Sequence, residues 1–70
     1  MAEVKVFYDK VGNTLTVWFS DPNLEHVSEE TGDEVILMKD SSGRVIGFEK
    51  LNFTAADPDS LRVSFETAPA

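Results

Sequence analysis

The stretch Glu3-Val4-Lys5-Val6-Phe7-Tyr8, then Asp9-Lys10-Val11-Gly12-Asn13, then Thr14-Leu15-Thr16-Val17-Trp18-Phe19-Ser20, decides the fold. Val4, Val6 and Tyr8 alternate with Lys5 and Phe7, and Leu15, Val17 and Phe19 alternate with Thr14, Thr16 and Trp18. A period of two places successive side chains on opposite faces of a strand. The β-branched and aromatic residues in both runs suit a pleated, half-buried surface. Gly12 and Asn13 tolerate positive φ, so the segment between the runs predicts a hairpin loop.

Further along, Asp21-Pro22-Asn23 is a turn, because proline removes a donor and restricts the residue before it. Leu24, Val27 and Glu30 fall at the spacing of a helical turn, but Ser28 to Gly32 add no second apolar turn. A short, polar, edge-like strand is therefore expected within 24–31, with acids that discourage stray pairing. Glu34-Val35-Ile36-Leu37-Met38-Lys39 is apolar on both faces and suits a central strand. Asp40-Ser41-Ser42-Gly43 predicts a type I turn closed by a left-handed residue. The next strand spans 44–52 and puts Val45, Gly47, Glu49 and Leu51 opposite Ile46, Phe48 and Lys50. Gly47 costs stability in mid-strand unless it permits a bulge or a close backbone approach. Residues 53–60 read as a loop with room for one helical turn, 61–66 as a sixth strand, and 67–70 as a frayed tail. The expected fold is mainly β, with α+β held open: an antiparallel meander of five to six strands with at most one short helical turn. Its apolar face needs cover from curling, from the C-terminal segment or from another subunit.

A chain of 70 residues has room for one domain. Folding it removes roughly 7,000 Å² from water by size scaling. That contributes about 100 kcal/mol if a little over half is apolar, against about 105 kcal/mol of ordering entropy. The terms cancel, so a staple is expected. Cysteine is absent, which excludes disulfides and thiolate metal sites. The single histidine, His26, excludes a His-rich zinc site. Self-association, most simply a homodimer, is the remaining route.

The net charge is −7, and its placement is uneven. Between Val11 and Met38 there is no Lys or Arg, while Asp21, Glu25, Glu29, Glu30, Asp33 and Glu34 all lie there. Such a surface repels phosphate backbones, so nucleic acid is not an expected partner. It suits a basic protein surface, or serves solubility alone. The start, Met1-Ala2-Glu3-Val4-Lys5, lacks a basic region followed by an apolar stretch, and no run reaches membrane-spanning length. A cytoplasmic protein without membrane contact is the expectation.

Tyr8-Asp9, Leu15-Thr16-Val17, Ser28-Glu29-Glu30, Val35-Ile36-Leu37, Gly43 to Glu49 and Leu51-Asn52 occur in the order seen in a known family. In this order the region 4–52 resembles the bacterial domain-of-unknown-function family numbered 2283. Gly43 to Leu51 is the most specific part. The chain departs from the pattern at Asn13-Thr14, where the family usually has Asp, and at Leu15-Thr16, where it favours Leu-Tyr. The extension from 53 onward has no counterpart. The resemblance implies no established activity. Some members look like small partners encoded beside toxin-like proteins, which implies an antitoxin-type role.

Chemistry-bearing residues are sparse. His26 and Ser28 lack a third orienting group, and the acids do not follow the spacing of a calcium loop. No cofactor, metal or catalytic residue is assigned. Trp18 and Phe7 share a face and are a candidate interface, unless Phe53 or Phe65 covers them. Glu25, Glu29, Glu30, Asp33 and Glu34 are a candidate surface for a basic partner. Glu49, an acid in an apolar strand beside Gly47, is a candidate functional acid, or else pairs with a base such as Lys5 or Arg62. Asp9 is expected to cap the first hairpin through its own backbone. The leading expectation is a non-enzymatic protein-interaction module acting as a homo-oligomer. The alternative is a small-ligand binder or enzyme whose site forms between subunits and uses Glu49 with Asp9 and Tyr8.

Overall fold

A computed structural model describes residues 3–55 and 57–69. Met1, Ala2, Ala56 in the expected loop and Ala70 in the expected tail lie outside the described residues. The protein is mainly β: β1 (Lys5–Asp9), β2 (Thr14–Trp18), β3 (Val27–Glu30), β4 (Val35–Lys39) and β5 (Val45–Lys50) form one antiparallel sheet. Single 3-10 turns occur at Pro22–Leu24 and Pro58–Ser60.

Each connection has a local cause. In the first hairpin Asp9 Oδ1 accepts from the backbone N–H groups of Val11 and Gly12, both at 3.0 Å, and Asn13 takes φ 56° before β2 begins. Between β3 and β4, Gly32 and Glu34 have φ of 91° and 60°, and the Thr31 N–H reaches the Val35 carbonyl at 3.1 Å. Between β4 and β5, Asp40 Oδ1 accepts from the Ser42 N–H, the Ser42 hydroxyl and the Arg44 N–H. Gly43 closes that turn at φ 85°, the left-handed conformation expected of it.

The spatial order β1-β2-β5-β4-β3 corrects a simple meander. After β2 the chain passes the ends of the central strands through the Pro22–Leu24 turn and enters at the far edge as β3. The physical reason lies in composition. Val27-Ser28-Glu29-Glu30 is too polar for an interior position, while the apolar runs of β4 and β5 tolerate neighbours on both sides. The polar segment is thus an edge strand, as its acids predict.

The expected sixth strand over 61–66 is corrected too. Residues 61–69 form no strand, and Phe65 is 83% exposed. Alternation assigns residues to faces but supplies no pairing edge. The sheet is therefore open, with β1 and β3 as its edges. Only Met38 and Ile46 are buried apolar residues among those described. The accessible surface is 5557 Å², against about 4,400 Å² for a compact chain of this mass.

Registered partners define the two faces. On one, Val6, Val17, Phe48, Leu37 and Glu29 form a row across all five strands, beside Tyr8, Leu15, Lys50 and Val35. On the other, Phe7, Thr16, Glu49, Ile36 and Glu30 form one row, and Lys5, Trp18, Gly47, Met38 and Ser28 the next. We call these the valine face and the tryptophan face.

Candidate functional site

Gly47 shapes the tryptophan face. A β-carbon there would lie 2.6 Å from the Val17 carbonyl oxygen, 2.9 Å from Trp18 Cε3 and 3.3 Å from Met38 Cε. The indole of Trp18 therefore lies close over β5 in the space that a side chain would fill. Met38 faces Gly47 while Lys39 faces Val45, which leaves Ile46 as an extra residue. Gly47 thus serves both the bulge and the close approach that its mid-strand position predicts.

Phe7 and Trp18 do share this face, as diagonal neighbours on β1 and β2. Phe7 is 58% exposed and Trp18 half-buried. Phe53 does not cover them. Its ring meets Tyr8 edge-on with centroids 5.7 Å apart, at a corner of the valine face. The exposed Phe65 does not cover them either. The Tyr8 hydroxyl is buried without a hydrogen-bond partner.

Glu49 is half-buried between Thr16 and Ile36. Among the described residues it forms no ion pair, with Lys5 or Arg62 or any other base; Lys5 pairs with Glu3 at 3.8 Å. A cleft of about 230 Å³ lies near the same end of β4, lined by Glu30, Gly32, Glu34, Val35, Ile36 and Leu51, and Glu49 does not line it.

The acidic surface is partly engaged with the protein's own lysines. Glu29 pairs with Lys39 at 2.7 Å, Glu34 pairs with Lys50 at 3.3 Å, and Glu25 accepts from the Ser28 hydroxyl. Ser28 is thus turned toward Glu25 rather than His26, whose backbone N–H donates to the Lys39 carbonyl. Glu30 and Asp33 carry no ion pair among the described residues and are exposed. No group of three or more His, Cys, Asp or Glu among the described residues is arranged to hold a metal ion.

One cluster is not visible in the sequence. Glu34 Oε1 accepts from Asn52 Nδ2 at 3.1 Å, its other oxygen meets Lys50 Nζ, and the Leu51 N–H donates to its carbonyl at 2.7 Å. The Asn52 amide, and then the Lys50 ammonium, hold this carboxyl below its ordinary value of 4.5. Asp40 is likewise held below 3.8, first by the Ser42 hydroxyl and then by the Arg44 N–H. Glu34 and Asn52 both adopt positive φ, at 60° and 54°, at the start of β4 and just past β5. Nothing in residue type marks Glu34 for the left-handed region, so only its tertiary partners reveal it.

Fold and site together define a small open-sheet β domain with apolar side chains on both faces and an acidic edge. The chain belongs to the family described as Protein of unknown function (DUF2283), whose model matches residues 5–53. The match runs from β1 through β5 to the first residue after Asn52, and so covers the whole sheet. No curated protein and no solved structure matches the chain. No helix among the described residues is long and apolar enough to cross a membrane.

Proposed function

We propose that the protein is a non-enzymatic protein-interaction module that acts as a homo-oligomer and offers its acidic β3 edge to a basic protein, with an antitoxin-type complex as one instance. The observation that carries this reading is the open sheet. A single layer leaves Val4, Phe7, Phe19 and Val27 about half or more exposed, and a domain this small gains stability by covering such groups. The acids add direction. Among the described residues Glu30 and Asp33 pair with no lysine, and they lie at or beside β3, where a basic surface would be steered. Four of the six bases are in ion pairs with the protein's own acids, which favours a protein partner over a phosphate backbone.

The test combines two measurements on the unmodified chain. Light scattering reads its mass, and titration with a lysine-rich peptide reads affinity at low and raised salt. The expected result is an oligomer and a salt-sensitive affinity that falls in the E29Q/E30Q/D33N variant. A single-chain mass at every concentration, with no salt-sensitive peptide binding, contradicts the reading.

A further inference from the structure

We propose that a second copy of this chain docks on the valine face, sheet against sheet, so that two open sheets close into one two-layered sandwich. This rests on the self-association reading above and specifies its surface. Of the three ways to cover the face, closure of the sheet on itself is ruled out by its two free edges, β1 and β3. The C-terminal segment leaves Val63 and Phe65 exposed to solvent. Phe53 covers the Tyr8 corner. That leaves another subunit.

The area fits. The chain exposes 5557 Å², about 1,200 Å² more than size scaling gives for a compact chain. A standard interface covers about 800 Å² per partner. Five strands at ~4.8 Å spacing, with about five residues each at ~3.4 Å, offer a flat projection of roughly 24 by 17 Å, about half of that area, and the relief of the side chains with the flanking Val4 and Phe19, each 49% exposed, adds to it. Two such faces pack about 10 Å apart with strands nearly aligned.

Charge selects the face and the occupant. A chain of net charge −7 associates with its own copy only where like charges do not meet. On the valine face the row Val6–Val17–Phe48–Leu37 is uncharged. Its flanking charges are neutralised within the chain, Glu29 by Lys39 and Lys50 by Glu34. On the tryptophan face Glu49 and Glu30 flank Ile36 with no ion pair among the described residues, and Lys5 at the β1 edge of that face already pairs with Glu3, so a copy docked there would desolvate carboxylates that the chain's own bases do not neutralise. The tryptophan face then stays open in the dimer, with Phe7 and Trp18 available to a different partner.

Adjacent residues on β1 make the test, because Val6 and Phe7 point to opposite faces. Sedimentation of Val6→Glu is expected to show association weakened and the chain shifted to monomer, with an affinity loss of about a hundredfold or more for an uncompensated charge in a covered face. Phe7→Glu is expected to remain a dimer. The cysteine-free sequence allows a second readout that does not depend on tolerating a charge. Val6→Cys should become protected from a thiol reagent as concentration rises, while Phe7→Cys stays reactive. A dimer that survives Val6→Glu but is lost in Phe7→Glu, or protection of Phe7→Cys instead of Val6→Cys, overturns the choice of face and leaves self-association standing. A wild-type chain that is monomeric throughout overturns both.

Discussion

The two faces of the sheet are built from alternate residues of the same strands, yet they solve different problems. The tryptophan face manages itself. Trp18 lies over Gly47, and Met38, which is 3% exposed, reaches the same glycine, so a large side chain covers area inside its own chain. The price is a glycine in mid-strand and a row in which Glu49 and Glu30 stand beside Ile36. The valine face does the reverse. Its central row is apolar from Val6 to Leu37, and Phe19 tilts against Phe48 with ring centroids 5.9 Å apart while staying 49% exposed. One face packs its largest side chain over its own backbone, and on the other we propose a second layer.

Substitutions on each face sharpen this contrast. The largest effect is expected at Phe48→Ala. If a second copy covers the valine face, truncation costs about 3 kcal/mol or more, as in a closed core, and the loss depends on protein concentration. Denaturant unfolding at two concentrations checks it, and a small, concentration-independent loss would break the contrast. Next is Gly47→Ala on the tryptophan face. The added carbon would meet the Val17 carbonyl and the Trp18 ring, so a loss of about 1–3 kcal/mol is expected. The intrinsic fluorescence of Trp18 should shift with it, while the oligomeric state is kept.

A smaller effect concerns pH. The folded carboxyls of Glu34 and Asp40 lie below their ordinary values, so the unfolded chain binds more protons as the medium acidifies. The stabilisation is present above those ordinary values and is lost as pH falls through the lower folded ones. Thermal melts from neutral pH down through the carboxylate range should show that decline, and Glu34→Gln should flatten part of it. The smallest effect is expected at Tyr8→Phe. Its hydroxyl is buried without a partner, so removal should leave stability unchanged or slightly raised. A loss above about 1 kcal/mol would show that the hydroxyl is satisfied in the assembled protein.

Much of this architecture is legible in the sequence. The two-residue rhythm places Phe7 with Trp18 and Val6 with Val17, as the register confirms. Asp40 and Gly43 announce their turn, and Gly47 its close approach. What alternation does not contain is who pairs with whom. The β2–β5 pairing joins residues some thirty positions apart, and only the polarity of Val27 to Glu30 hints that β3 belongs at an edge. The same gap produced the expected strand over 61–66, where Leu61, Val63 and Phe65 alternate correctly but find no edge. The face that carries Phe7, Trp18 and Glu49 was legible from alternation. The neutralisation of Glu29 and Glu34 by Lys39 and Lys50 was not, because each pair is made only when β4 is seated between β3 and β5.

The most direct test of the account is hydrogen exchange of β2 and β5, alongside sedimentation, on the unmodified chain across a wide dilution series. Cooperative stabilisation of both strands as the mass rises to twice 7.8 kDa is the predicted result. A lone chain whose β2 and β5 amides are fully protected at every dilution would contradict it.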